Sequence, residues 1–404
     1  MTSLNQTTGR IFLRRGKDGP VRGGNPWIFS QAIERREPSG LPIGAAVEVL
    51  DASGAAIGVG HFNPNTTIAV RMLLWRNGAE SADSDDLDRV IAGRIERALR
   101  MRQRTIGGDT NCYRLVNGDG DGLSGLVVDR YHEVLVIQLL SAGMDRMREA
   151  IIAALKHLIR PRAIIERSQG AVRRQEGLAD RSGIVTGDAP GPAIVSENGV
   201  RIEVDFEHGQ KTGYFLDQRE NRRRIMDLAA DARVLDLCCY SGSFAIAAAK
   251  GGARETVAVD TSARALEWAR RNADLNEIPN GRIELVHEDA GKYLSSSGKQ
   301  FDLIVLDPPP LARSREQAAH AGRLYVELNA AAMRALAPGG YLMTFSCSTH
   351  LSGEDFVRAM RMAQSRAGAQ LRRLARLGPG ADHPVLLGHV EGEYLTGLLL
   401  NDLR

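Results

Sequence analysis

Val234-Leu235-Asp236-Leu237-Cys238-Cys239-Tyr240-Ser241-Gly242-Ser243-Phe244 is the stretch from which the fold is read. A short apolar run ends in small residues, and an alanine-rich segment suited to a helix starts directly after it. The same order of strand and then helix recurs. Thr256–Val259, Ile283–Val286, Leu303–Leu306 and Tyr341–Phe345 are further short apolar runs, each followed by a stretch rich in Ala, Leu, Glu and Arg. Strands that are apolar throughout and alternate with helices imply a parallel sheet covered on both faces, an α/β domain.

In such a sheet a ligand sits at the carboxyl ends of the strands, near the point where strand order reverses. The strand-end residues are therefore the informative ones. The second strand ends in Asp260, 24 residues beyond Asp236, where a carboxylate accepts from two ribose hydroxyls. The third is followed by Asp289, placed to receive an adenine amino group. A dinucleotide site would need G-x-G-x-x-G so that backbone can approach a pyrophosphate, and only Gly242 is present. A cofactor with a ribose and an adenine but no phosphate fits better, and S-adenosylmethionine is that cofactor. The structural alternative for a single acid such as Asp260 is a helix N-cap.

The fourth strand ends in Asp307-Pro308-Pro309-Pro310 and the fifth in Ser346-Cys347-Ser348. Prolines fix φ and remove donors, so Pro308 and Pro309 stiffen a turn that faces a planar substrate with its carbonyls and with Asp307. Enzymes that methylate exocyclic amines often follow this turn with Tyr or Phe, whereas Pro310 and Leu311 follow here. Cys347 suggests other chemistry. Carbon 5 of cytosine is too weak a nucleophile to take a methyl group directly, but a thiolate added at carbon 6 activates it. Asp307 would hold or protonate the ring at N3. A free cysteine is otherwise a small buried hydrophobe, which is the reading for Cys112, Cys238 and Cys239.

Outward from this centre, Ala45–Leu50, Ala55–Phe62 and Thr67–Leu74 read as strands of a small β-barrel or sheet. Ser84-Asp85-Asp86 then caps a helix with apolar positions from Leu87 to Leu99. Strands near Tyr113–Val116, Leu126–Val128, Val134–Leu140 and Ala163–Glu166, with a helix near Met144–Ile159, make an α+β region. The 404 residues carry 52 Lys+Arg against 49 Asp+Glu, so net charge alone does not point to nucleic acid. Arginine distribution does: Arg10, Arg14, Arg15, Lys17 and Arg22; Arg89, Arg94, Arg97, Arg100, Arg102 and Arg104; and Arg219, Arg222, Arg223 and Arg224 form three clusters. The four cysteines lack metal-ligand spacing, so no metal is expected. No apolar run approaches the ~20 residues that cross a bilayer, and no secretory leader is read at the N-terminus, so a cytoplasmic location is expected.

Three further segments carry a family resemblance. They are Gly24-Asn25-Pro26-Trp27-Ile28-Phe29; Tyr113-Arg114-Leu115-Val116-Asn117-Gly118 with Asp121-Gly122-Leu123-Ser124-Gly125-Leu126-Val127-Val128-Asp129-Arg130; and Gly209-Gln210-Lys211-Thr212-Gly213-Tyr214-Phe215-Leu216-Asp217-Gln218-Arg219-Glu220-Asn221-Arg222. With Asp382-His383-Pro384 and Glu391-Gly392-Glu393-Tyr394-Leu395, the chain from about Ile11 to Leu400 resembles the ribosomal large-subunit RNA 5-methylcytosine methyltransferases of the RlmI type.

The resemblance implies a PUA-like RNA-binding domain over 1–78, a central α+β domain over 79–190, and a Rossmann-like class I methyltransferase domain over 191–404 that closes on an antiparallel hairpin. It implies cofactor contacts at Asp236, Ser241, Gly242, Asp260 and Asp289, with Tyr214, Asp217 and Gln218 from a segment folded over the cofactor. Lys211, Arg219, Pro308 and Pro309 would face the RNA, and Cys347 would be the nucleophile. The partner would be large-subunit ribosomal RNA, gripped mainly through phosphates, with the three arginine clusters as its footprint. A homodimer is compatible with this reading.

The sequence departs from better-studied RNA 5-methylcytosine enzymes in one place: Pro310 stands where they carry a second cysteine that helps release product. The base that removes the carbon 5 proton is thus unassigned. A related branch has Asn in place of the cysteine and methylates guanine N7. Guanine N7 or amino methylation, and a non-catalytic RNA-binding assembly factor, are the alternatives.

Overall fold

The computed structural model describes residues 7–76, 86–188, 191–311, 318–348 and 351–404. By contact the chain falls into two compact units. One comprises Met1–Ala193, Asp205–Leu216 and Ala381–Gly392, the other Ile194–Val204, Asp217–Gly380 and Glu393–Arg404.

The first unit holds two sheets. β1 (Gly9–Leu13), β2 (Trp27–Phe29), β3 (Ile33–Glu37), β4 (Ala45–Leu50), β5 (Ala56–Phe62) and β6 (Ile68–Trp75) form a six-stranded sheet in the order β2-β6-β5-β4-β1-β3. Ile11, Leu13, Val47, Val49, Ile57, Phe62, Val70 and Met72 are its core. β4 to β6 match the sequence expectation; β1 to β3 were not expected, because β3, Ile-Glu-Arg-Arg-Glu, is nearly all exposed and shows no apolar period.

The second sheet is ordered β11-β10-β9-β8-β7, with β7 (Cys112–Asn117), β8 (Leu126–Tyr131), β9 (Val134–Leu139), β10 (Ala163–Ser168) and β11 (Arg181–Gly187). The helix Leu87–Thr105 packs on it through Val90, Ile91, Ile95 and Ala98. Asp86 caps that helix by accepting from the Asp88 and Arg89 amides; Ser84 and Asp85 lie outside the described residues. The single helix expected over 144–159 is two, Ala142–Arg146 and Arg148–Ile159.

Two segments of the expected third domain pack with this first unit, and their side chains give the reason. Thr212 Oγ1 donates to Asp129 Oδ2 at 2.6 Å and lies 2.8 Å from the Tyr131 hydroxyl. Asp382 Oδ2 accepts from the Arg114 amide at 2.9 Å, and the Arg102 guanidinium donates to the Asp382 carbonyl at 2.6 Å. These partners are 83 and 268 residues apart in sequence, beyond the reach of any local pattern.

In the second unit, β12 (Ala193–Glu197) and β13 (Val200–Val204) form a two-stranded sheet. Seven strands follow: β14 (Arg233–Leu237), β15 (Glu255–Asp260), β16 (Ile283–His287), β17 (Phe301–Leu306), β18 (Leu336–Ser346), β19 (Leu371–Leu377) and β20 (Thr396–Asp402). Their order is β16-β15-β14-β17-β18-β20-β19. β14 pairs in parallel with both β15 and β17, so the order reverses beside β14. β20 runs antiparallel to β18 and to β19, the closing hairpin that the resemblance implied.

The arginine clusters require a correction. Arg94 and Arg102 are buried: Arg94 donates to the Gly122 carbonyl, and Arg102 forms a two-pronged pair with Asp121. Arg222 is buried too, its Nε 2.6 Å from Glu197 Oε1 and its NH2 2.8 Å from Oε2. Such buried, two-pronged pairs hold the fold and have no donors to offer an RNA. Two of the three clusters are therefore partly structural, and only their exposed members remain available to a polyanion.

Candidate active site

β14 leads into the loop expected to hold the cofactor. Cys238, Tyr240 and Gly242 all have positive φ, at 62°, 49° and 71°, so the chain coils tightly before the helix Ser243–Lys250. Gly242 is required twice over: by its left-handed φ, and because a Cβ there would come within 2.8 Å of the Ala269 Cβ. Asp236 lies beneath the loop, 1 % exposed. Its Oδ2 accepts from the Ala245 amide at 3.0 Å, while Oδ1 is buried and has no partner. Burial pushes the Asp236 carboxyl up to about 8; the Ala245 amide opposes that rise and the carboxylates of Asp307 and Asp260 add to it. A buried carboxylate oxygen without a donor suits a cationic ligand, such as the ammonium of an amino-acid-bearing cofactor.

Asp260 and Asp289 are both occupied with backbone. Asp260 Oδ2 accepts from the Tyr240 amide at 2.8 Å and Oδ1 from the Ser262 amide at 2.9 Å, so this acid ties the cofactor loop to the start of the next helix. Asp289 Oδ1 caps the helix Ala290–Ser296 by accepting from Gly291 and Lys292. Asp260 closes its strand and is half-buried, and Asp289 stands two residues past its strand and is exposed. Ser241 Oγ is 3.2 Å from Ser243 Oγ, and the Ser241 carbonyl accepts from Asn272.

Across β14, the ends of the parallel neighbours β17 and β18 bring Asp307-Pro308 and Cys347 together. The Cys347 thiol donates to the Pro308 carbonyl at 3.8 Å. Gln218 Nε2 donates to Asp307 Oδ2 at 2.9 Å, and Asn221 Nδ2 donates to Gln218 Oε1 at 2.6 Å and to the Gly378 carbonyl at 3.0 Å. Asn221 thereby fixes which end of the Gln218 amide faces Asp307. Asp217, one residue earlier, accepts at Oδ2 from the Tyr394 hydroxyl at 2.7 Å, and its carbonyl accepts from the Gly380 amide. Gln218 therefore meets the residue just past β17, and Asp217 meets the segment beyond β19. Pro309 is exposed beside them.

Three other expected residues, Arg219, Lys211 and Tyr214, differ in exposure. Arg219 is 1 % exposed and lies against Glu220, so its guanidinium is buried instead of displayed. Lys211 and Tyr214 belong to the first unit: Lys211 Nζ sits 4.6 Å over the Phe215 ring, and Tyr214 is buried. Two residues of the network escape sequence reading. Asn221 stands three residues from Gln218, the helical spacing at which amides meet, and that is the one local signal it gives. Tyr325, whose hydroxyl lies 3.3 Å from Ser348 Oγ next to Cys347, reads only as a core aromatic.

Cys238 and Cys239 lie on the loop that follows β14. Cys238 is pushed up to about 12, chiefly by burial and then by the carboxylates of Asp260 and Asp307, and Cys239 is pushed up by burial as well. Both remain thiols at neutral pH, in keeping with packing.

Comparison with known proteins places this arrangement. Residues 114–358 match the S-adenosylmethionine-dependent methyltransferase family, and residues 11–75 match a PUA-like domain. The chain is 37 % identical over 395 residues to ribosomal RNA large subunit methyltransferase I of Erwinia tasmaniensis, covering 96 % of this chain and 98 % of that protein. The counterpart from Aeromonas salmonicida is 40 % identical over 397 residues at the same coverage. Among solved structures, a Streptococcus mutans protein described as a SAM-dependent methyltransferase superposes with a TM-score of 0.80 over 97 % of this chain and 99 % of its own, at 20 % identity. A methyltransferase solved in complex with SAH gives 0.81 at the same coverage and identity.

Proposed function

The chain belongs to the ribosomal RNA large subunit methyltransferase I family of S-adenosylmethionine-dependent methyltransferases, and from that premise we propose that it methylates carbon 5 of a cytosine in large-subunit ribosomal RNA through a covalent Cys347 adduct. The observation that carries the reading is the pairing of Cys347 with Asp307-Pro308 at the ends of adjacent parallel strands, the thiol 3.8 Å from the Pro308 carbonyl.

S-adenosylmethionine, when bound, supplies an electrophilic methyl carbon, and the remaining work falls to the protein. The Cys347 thiolate adds to carbon 6, forming a C–S bond and moving the ring's π electrons toward carbon 5, which becomes the attacking carbon. Asp307, held by Gln218, would pass a proton to N3 as the thiolate adds, so that the charge entering the ring is neutralised, and would take that proton back when the thiolate leaves. Once carbon 5 is alkylated, loss of its proton returns the electron pair to the ring and expels the Cys347 thiolate. Asp236 would receive the cofactor's ammonium on its unpartnered Oδ1, Asp260 its ribose hydroxyls, and Asp289 its adenine amino group, with Ser241 and Gly242 lining the loop. Of the residues expected to close over the cofactor, Asp217 stands beside Gln218 in the second unit. Residues 1–78 act as the RNA-gripping PUA-like domain and 79–190 as the central domain before the catalytic domain 191–404.

The test is transfer of labelled methyl groups to protein-free large-subunit rRNA from a strain lacking this enzyme, with wild type and Cys347→Ala compared and the product nucleoside identified. Labelled 5-methylcytosine from wild type alone is expected. Label on guanine, or full transfer by Cys347→Ala, would overturn the covalent cytosine mechanism. RNA binding without any transfer, on rRNA and on ribosomal particles alike, would indicate a binding factor.

A further inference from the structure

Between Asp355 and Asp382 the chain contains no acidic residue and six arginines, Arg358, Arg361, Arg366, Arg372, Arg373 and Arg376. The last three lie on β19, the outermost strand of the seven-stranded sheet, and are exposed. A bulge between Arg373 and Ala375 changes which way the strand's side chains point. Arg373 pairs with Leu400 and Arg376 with Leu398, so both project from the sheet face that carries those two leucines. Arg372 pairs with Asn401 on the opposite face and donates to Asn401 Oδ1 at 2.9 Å. The bulge thus aligns two arginines that simple alternation would have placed on opposite faces, about 7 Å apart along the strand. That is the scale of the step between neighbouring phosphates in an extended single strand. Neither has an acidic partner among the described residues.

The topology points this pair at the reaction centre. β19 is antiparallel to β20, which is antiparallel to β18, so β19 ends at the same edge of the sheet as Cys347. Through β20, Arg376 is level with Thr344, three residues before Cys347, and Arg373 with Leu342. β19 is two strand spacings from β18, about 10 Å. Two residues past Arg376, the Gly378 carbonyl accepts from Asn221, which holds Gln218 and through it Asp307.

We propose that Arg373 and Arg376 form a phosphate track on the β19 edge, contacting the RNA backbone that flanks the target nucleotide. This rests on the reading of the chain as an RNA methyltransferase. Arginines on an edge strand also discourage pairing with other chains, but that duty needs only charge and makes no demand for two guanidiniums on one face.

The experiment is binding of protein-free large-subunit rRNA to the full chain between about 50 and about 200 mM salt, with methyl transfer measured on the same samples. Loss of two phosphate contacts should lower the salt slope of log affinity by roughly 1.4 in the Arg373→Gln/Arg376→Gln double variant. Arg373→Lys/Arg376→Lys should restore most of it, and Arg372→Gln should leave it unchanged. At saturating RNA the double variant should keep its turnover. An unaltered slope in the double variant, or an equal loss from Arg372→Gln, would overturn the proposal. If wild type transfers no methyl group while the slope still depends on Arg373 and Arg376, the phosphate track stands and the enzymatic reading fails.

Discussion

The two sides of the seven-stranded sheet use their strand-end residues in opposite ways. On the β15 and β16 side, Asp260 and Asp289 bond to amides no more than 20 residues away, so each acid organises its own turn. On the β17 and β18 side, Asp307 is held by Gln218 from 89 residues away, and Gln218 by Asn221, which reaches Gly378 a further 157 residues on. The side proposed to hold the cofactor is built locally; the side proposed to react is assembled from segments that meet only once the unit has folded. Substitutions on the two sides should therefore separate cleanly into effects on cofactor affinity and effects on turnover.

Apart from that of Cys347 itself, the largest such effect is expected from Asp307→Asn, which keeps the shape but removes the acid proposed to protonate the substrate ring. Turnover should fall by roughly 10²–10⁴-fold with S-adenosylmethionine affinity intact, as measured by single-turnover kinetics beside calorimetry. A matching loss of cofactor affinity would erase the distinction between the two sides. Asp260→Ala should do the reverse: affinity lower by about 10- to 100-fold, because both the proposed ribose acceptor and the tether to the Tyr240 amide are lost, with turnover at saturating cofactor nearly unchanged.

The smallest effect is a matter of pH. Asp236 is a neutral acid below about 8 and ionised above it, and a cationic ligand group favours the ionised form. Wild-type affinity for the cofactor should then rise with pH, by at most tenfold per unit, and level off above about 8, whereas Asp236→Asn should be flat over the same range. Linkage gives the matching sign for the ligand-free protein. A carboxyl raised on folding contributes stability below its ordinary value of 3.8, and that contribution is lost as pH climbs toward about 8. A wild-type affinity that falls with rising pH would remove Asp236 from the ammonium site.

How much of this was legible follows the same division. β14 to β18 appear in the sequence as short apolar runs, and Asp236, Asp260, Asp289, Asp307 and Cys347 all stand at or just past the ends of those runs. Strand, turn and helix are local, so local periodicity finds them. Gln218 and Asp217 were reached only through resemblance, since their partners lie 89 and 177 residues away. The arginines show where counting charges misleads. Arg102 and Arg222 sit in clusters as dense as any on the surface, yet Asp121 and Glu197 draw them into the interior. On β19, by contrast, a bulge decides which arginines share a face, and no repeat of residue types announces a bulge.

The central claim is the covalent adduct, and the most direct test is to offer the enzyme large-subunit rRNA made with 5-fluorocytidine in place of cytidine, together with S-adenosylmethionine. Fluorine at carbon 5 cannot leave as a proton does, so after methyl transfer the Cys347–carbon 6 bond should persist. The account predicts a protein–RNA species stable to denaturation, formed by wild type, absent from Cys347→Ala, and mapping by mass spectrometry to the peptide that contains Cys347. Methylation of the ordinary substrate at carbon 5 with no trapped species from the fluorinated one, or trapping that survives Cys347→Ala, would contradict it.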